Sequence, residues 1–177
     1  MALTKIVGDI VSSPLAVSEI SANGGSGTAG QVLTTGGSGA NVYWANAGGL
    51  GLGSRTTGSN TTSSIANGAS GSINIPGYTG YAIYKVQTSG AAWVRIYANA
   101  SSRTADASRT EGTDPGTSSG VIAEVITTGA NTISFTPAVI GFNDETSPTN
   151  TIPVAVMNKT GSTGTVQVTL TLVQTEA

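Results

Sequence analysis

The chain has 177 residues, room for one ordinary domain with an extension or for two small ones. Charged residues make up 9% of it, against roughly 25% in an average soluble domain. A net charge of −2 is too weak for a nucleic-acid groove or a basic membrane patch, and the absence of Cys and His excludes disulfides, thiolate zinc sites and Ser-His or Cys-His catalysis.

Polarity must come from Ser, Thr, Asn and Gly instead. The 25 Gly residues are about twice what the average usage of roughly 7% gives. Gly- and Ser-rich chains are often disordered, but here β-branched residues gather in short alternating runs. The composition therefore predicts many short strands joined by tight turns.

Residues 1–22 are mildly apolar, with Leu3, Ile6, Val7, Ile10 and Val11 at i, i+3, i+4, i+7, i+8. That is helical spacing, yet Gly8 and the β-branched residues oppose a free-standing helix. The expected form is an extended anchoring arm lying on a partner surface, with a short docked helix as the alternative. Neither is stable alone. Lys5 and Asp9 interrupt the run, so no secretory signal is expected, and no segment approaches the roughly 20 apolar residues that span a bilayer.

Residues 23–53 are punctuated by glycine. Gln31-Val32-Leu33-Thr34-Thr35 and Val42-Tyr43-Trp44-Ala45 read as two short strands. The GGSGAN between them suits a hairpin loop, because Gly and Asn accept positive φ. A lone hairpin is marginal in water. The following segment, 54–72, holds little that is apolar beyond Ile65 and reads as a linker or irregular loop.

At Ile73 the pattern changes. Strands are expected around Tyr81–Gln87 and over AAWVRIYA, where Trp93, Arg95 and Tyr97 share one face and Val94 and Ile96 the other. A long polar loop, 99–120, precedes further runs at 121–128, 131–137, 139–143, 151–158 and 164–174. In the last, Val166, Val168, Leu170 and Leu172 alternate with Gln167, Thr169 and Thr171, as a strand with one buried face requires. The predicted fold is all-β: an antiparallel β-sandwich or jelly roll over 73–177, preceded by an extended Gly/Ser/Thr-rich arm and hairpin.

Residues 1–72 carry too few large side chains to form a core. Ordering a residue costs about 1–2 kcal/mol of backbone entropy, and apolar burial returns about 25 cal/mol per Å². That segment must stay mobile or be ordered by neighbouring subunits.

The search for chemistry yields little. Gly25-Ser26-Gly27-Thr28-Ala29-Gly30 spells G-x-G-x-x-G, but no strand leads into it and the strand-like QVLTT follows, so no dinucleotide site is expected. Asp106, Glu111 and Asp114 share the long loop with Arg103 and Arg109, and Asp144 and Glu145 precede Pro148. Solvated loop charge is the expected role, with a glycosidase-like carboxylate pair as the alternative. Gly112 is misplaced for an EF-hand calcium loop. No catalytic, cofactor-binding or metal-ligating residue is assigned, and no cofactor. Tyr78, Tyr81, Tyr84, Trp93 and Tyr97 either form a sugar-stacking face or fill the sandwich and line a subunit interface.

The run Gly27-Thr28-Ala29-Gly30-Gln31-Val32-Leu33-Thr34-Thr35-Gly36-Gly37-Ser38-Gly39-Ala40, followed by Trp44, resembles the GxxGQVL(T/S)…G…W element of tail-fibre and other structural proteins of tailed bacteriophages. The opening MALTKI is similar to the starts of phage structural proteins, especially from phages of cyanobacteria. GYAIYKVQTSGAAWVRIYA and SSGVIAEVITTGA look like a domain of virion proteins of such phages. The resemblance implies a β-rich, usually trimeric, non-catalytic component of the virion, assembled in the host cytoplasm.

On this reading Leu3, Ile6, Val7, Ile10 and Val11 anchor the chain to the particle, and Val32, Leu33, Tyr43 and Trp44 form an inter-subunit hairpin. The partners are further copies in a homotrimer, other virion proteins, and a host-surface glycan or protein; neither nucleic acid nor membrane insertion is expected. The trimer rests on the resemblance, since no heptad pattern is present. Fibres usually contain long repetitive shafts, for which 177 residues leave little room. Beside a fibre-like or tail-associated appendage there stand a capsid decoration (cement) protein on the head and, as a lesser alternative, a carbohydrate-binding module.

Overall fold

The computed structural model describes Gly25 and residues 27–38, 41–46 and 53–176. The chain divides into two units, with the boundary between Gly51 and Leu52. In the first, β1 (Gln31–Thr35) and β2 (Val42–Asn46) pair as an antiparallel hairpin, where the two apolar runs around GGSGAN placed one. The anchoring residues Leu3, Ile6, Val7, Ile10 and Val11 lie outside the described residues.

Among the described residues the second unit has eight strands and a short helix. They are β3 (Thr56–Thr61), β4 (Ser70–Pro76), β5 (Gly80–Thr88), β6 (Ala92–Tyr97), α1 (Ala100–Ala105), β7 (Val121–Thr127), β8 (Asn131–Phe142), β9 (Thr151–Asn158) and β10 (Gln167–Gln174). Two antiparallel sheets result, with strand orders β3-β10-β5-β8 and β4-β9-β6-β7. The first strand pairs with the last, β4 with β9, β5 with β8 and β6 with β7. One long ribbon has been folded back between β6 and β7 and rolled, so that successive pairs alternate between sheets. That is the jelly-roll order, and the predicted all-β sandwich is what forms.

The alternating runs supply its interior. Ile83, Val86, Val168, Leu170 and Leu172 face inward from one sheet; Ile73, Ile75, Val94, Ile96, Ile152, Val154 and Val156 face them from the other. Each fully buried aliphatic side chain stabilises the fold by about 1.5–3 kcal/mol. The core is therefore built almost wholly from residues whose period-2 pattern is visible in the sequence.

Three expectations need correction. Residues 54–72 are no linker: they contain β3, the isolated bridge of Ile65 to Gly164, and the start of β4. The pattern was silent because the β3 positions paired with the inward-facing residues of β10 are Thr56, Gly58 and Asn60. Their polar groups find partners, with the Thr56 hydroxyl 2.8 Å from that of Tyr78 and Asn60 Nδ2 donating to the Asn74 carbonyl at 2.7 Å. A strand without large side chains can hold an edge when its neighbour supplies the apolar surface. The sandwich thus starts at Thr56, ahead of Ile73.

The runs 131–137 and 139–143 join as the single strand β8, interrupted by a bulge. Lys85 pairs with Ser134 and Ile83 with Val139, which leaves Phe135–Ala138 out of register. Pro137 lies in that excursion on an edge strand, where its missing N–H costs no ladder bond. Finally, the polar loop 99–120 contains α1, capped by Asn99, whose Oδ1 accepts from the Ser102 N–H at 2.7 Å.

Gly58 is the tightest point of the β3–β4 flank, since a Cβ there would drive into the Pro76 carbonyl and meet Ile75. Gly58→Ala should cost roughly 1–3 kcal/mol in a denaturant titration, whereas Gly116→Ala, with open space around it, should stay within about 0.5 kcal/mol of the parent. Equal effects would mean that β3 does not pack as described.

Candidate functional site: the Trp44 hairpin and a covered sheet face

Strand β2 sets Trp44 opposite Leu33. The indole Nε1 donates to the Gly25 carbonyl at 3.0 Å, drawing the chain before β1 over the ring. A Cβ on Gly27 would lie 2.6 Å from Trp44 Cδ2, and Gly27 also has φ of +73°, so glycine is required twice over. Gln31 closes the turn: its backbone N–H donates to the Thr28 carbonyl at 3.0 Å, and its Oε1 accepts from the Thr28 N–H at 2.9 Å. With Gly30 at φ of +88°, each part of the G-x-x-G-Q…W pattern has a local physical reason. Val32, Leu33, Val42 and Tyr43 remain between 41% and 48% exposed, while Trp44 is half-buried.

A second cluster lies on the outer face of the β4-β9-β6-β7 sheet. Trp93, Arg95 and Tyr97 share one face of β6, as the alternation required, yet all three are fully buried. Residues from 99–120 supply the cover. Asp106, at the end of α1, accepts at Oδ2 from the Tyr97 hydroxyl at 2.6 Å and from Arg95 Nη1 at 3.3 Å. Its Oδ1 accepts from Arg109 Nε at 2.8 Å, and its backbone carbonyl from Arg95 Nη1 at 2.9 Å.

Glu124 on β7 completes the group. It accepts from Trp93 Nε1 at 2.9 Å and forms an ion pair with Arg109 Nη2 at 2.7 Å, without hydrogen-bond alignment on that nitrogen. The Arg95 and Arg109 guanidinium carbons stand 4.1 and 5.1 Å from the centre of the Trp93 ring. Two cations and two carboxylates cancel. This is a neutral pin that fastens a polar loop to a sheet.

The electrostatics follow from that enclosure. Burial pushes the Asp106 carboxyl up, but hydrogen bonds from Arg109 and Tyr97 and the charges of Arg109 and Arg95 outweigh it and hold the group below its usual range. Burial, and then the bond to Asp106, raises the Tyr97 phenol well above its ordinary value. Burial alone raises Tyr81, whose hydroxyl finds no hydrogen-bond partner in the protein. Beside the pin, Ser102, Ala105, Asp106 and residues 116–119 line a hollow of about 250 Å³. The Asp106 oxygens are engaged by their partners, so the hollow presents small groups, the Ala105 methyl among them, and no free charge. Among the described residues no three His, Cys, Asp or Glu side chains stand together as a metal-holding group.

No family model, curated protein or solved structure matches the chain. What the site can do therefore rests on its own residues. Tyr81, Trp93 and Tyr97 are enclosed and form no sugar-stacking face; the filling role is theirs. Tyr78 packs on the core, and Tyr84 is half-buried at the β5 bulge. Asp106 and Arg109 are not solvated loop charges, although the Glu111 pair with Lys159 is about a third exposed. One signal pointed to the pin: Arg95 sits mid-strand in AAWVRIYA, and a strand that buries a guanidinium needs a carboxylate to meet it.

Tyr97→Phe should cost about 1.5–3 kcal/mol, the range for a hydrogen bond to a charged group, whereas Tyr81→Phe should cost less because no acceptor is lost. Asp106 has its folded pKa below the unfolded one, so its stabilisation is full above the ordinary carboxylate range and fades as pH falls through the folded value. Asp106→Asn should therefore be less stable at neutral pH and show a flatter loss of stability in acid. Denaturant midpoints across an acid series test both statements.

Proposed function

We propose that this chain is a non-enzymatic structural component of a tailed-phage particle, a fibre-like or tail-associated appendage attached by its N-terminal segment and working in homotrimers. The hairpin carries the reading. Its Gly27, Gly30, Gln31 and Trp44 supply the element that resembles tail-fibre proteins, and each is used in its geometry. The hairpin also turns Val32, Leu33, Val42 and Tyr43 outward on two five-residue strands, which is too little for a core. Such a hairpin gains stability by packing against another chain. Neutral interfaces also suit a chain this poor in charge, because interface centres are depleted in charged residues.

Capsid decoration is the second reading, favoured by one observation. Only nine residues, 47–55, separate β2 from β3, too few for a long repetitive shaft. The sugar-binding alternative loses its main support through the burial of Tyr81, Trp93 and Tyr97.

Quantitative protein staining of purified particles, with immunogold labelling of residues 73–177, separates the readings. The appendage reading expects one or two dozen copies per particle, by analogy with tail structures, and label on the tail. Hundreds of copies on the head would replace it with decoration. Absence from particles would end both. Gly27→Ala should abolish incorporation while leaving the jelly-roll unfolding transition in place, and normal incorporation of that variant would separate the hairpin from attachment.

A further inference from the structure

The outer face of the β4-β9-β6-β7 sheet is roofed by a segment with almost nothing apolar in it. Residues 99–120 carry no apolar side chain larger than Ala and Pro. Beneath them Trp93, Arg95 and Tyr97 have no exposure, and Ala155, which pairs with Arg95 from β9, has 4%. The helix α1 packs on β6 and β9, over that row. The roof's own side chains give the hydrophobic effect little to act on. Polar bonds must hold it down.

Those bonds can be traced one by one. The backbone–backbone bonds of residues 99–119 stay within the segment. Side chains make the ties to the sheets: Asp106 to Arg95 and Tyr97, Arg109 to Glu124, and Glu111 to Lys159. Arg103 Nη1 donates to the Ile73 carbonyl at 2.7 Å and to Asn74 Oδ1 at 2.8 Å. Glu145, beyond the end of β8, accepts from the Ala100 N–H at 2.6 Å. At the base the Ala98 N–H donates to the Gly120 carbonyl at 2.8 Å, so the two ends of the segment sit side by side. The segment can swing about those ends without parting any strand from its neighbour.

We infer that residues 99–120 form a hinged cover, latched by charge and side-chain hydrogen bonds, that lifts as a unit while the jelly roll stays folded and bares Trp93, Arg95 and Tyr97. Local opening costs less than global unfolding where few apolar contacts are lost. When the cover lifts, Arg95 and Asp106 both regain water, so neither charge is left buried without a partner.

Acid releases the latch. Asp106 is faced by Arg95 and Tyr97 from β6 and by Arg109 from its own segment. Ser70 of β4, which reaches Arg95 Nη2 at 3.3 Å, brings no charge, and Glu124 of β7 stands behind Arg109. Protonating Asp106 therefore leaves two enclosed cations against one carboxylate. Because its neighbours hold Asp106 below its usual range while the cover is closed, closure is fully favoured above the ordinary carboxylate range. That advantage is lost as pH falls through the closed-state value.

The chain has no cysteine, so a single introduced thiol reports opening at its own position. Two full-length variants probe opposite faces of one sheet: Ala155→Cys under the cover and Val94→Cys on the core side. Labelling by a dipyridyl disulfide is followed under native conditions, each rate divided by that of the denatured chain at the same pH. Position 155 should react roughly tenfold or more faster than position 94 at neutral pH, and acid should widen the ratio. Adding Asp106→Asn to Ala155→Cys should raise labelling by roughly tenfold or more at neutral pH and flatten its acid dependence. Tyr97→Phe, which removes one bond to the same carboxylate, should raise it by a smaller factor. Equal rates at both positions at every pH would overturn the cover as a separate unit. Faster labelling at position 155 that ignores pH and both substitutions would overturn Asp106 as its latch.

Discussion

Closure of the jelly roll depends on β3 lying beside β10. The two strands are about a hundred residues apart, and β3 contributes no large side chain to their union. What holds it is a six-residue ladder, the Thr62 N–H on the Val166 carbonyl, the Val166 N–H on the Thr62 hydroxyl, and the reach of Asn60 to the opposite sheet. Pairings so distant in sequence carry a large loop-closure cost, which the Val168, Leu170 and Leu172 face of β10 offsets by filling the core. Once β3 is in place, the folded unit has its boundary just ahead of Thr56.

Charge is used sparingly and internally. Seven basic and nine acidic residues give 16 charged side chains, and four of them, Arg95, Asp106, Arg109 and Glu124, are spent on one pin. Buried ion pairs add little net stability over apolar packing, but removing one partner strands the other, which costs about 3–5 kcal/mol. The pin's contribution is therefore positional. It holds the long segment between β6 and β7 against the sheet, and that leaves the surface of the jelly roll to Thr, Ser, Asn and Gly. Against such a surface, Ile140, Phe142 and the hairpin residues stand out as apolar.

How much of this was legible depends on what each element shows in its side chains. Strands that face the core on one side announce themselves: the Val166–Leu172 alternation is the clearest, and all four apolar residues are buried. Strand β3 gives no such sign, because its inward positions are Thr, Gly and Asn and its partner provides the hydrophobicity. The bulge in β8 made one strand look like two, since it resets the alternation around Pro137. Trp93, Arg95 and Tyr97 were placed correctly on one face of β6, but period-2 patterning cannot tell a solvent face from one roofed by a loop. The hairpin was legible as strands, while the reason for Gly27 emerges only where the indole of Trp44 lies on it.

The account holds that the jelly roll is complete in itself and the hairpin is not. Amide hydrogen exchange on dilute chain and on assembled particles compares the two directly. Strands β3–β10 should be protected in both states, while residues 31–46 exchange fast in dilute chain and slow by orders of magnitude in the particle. A hairpin as protected in a dilute monomer as in the particle would contradict the claim that other chains give it its order.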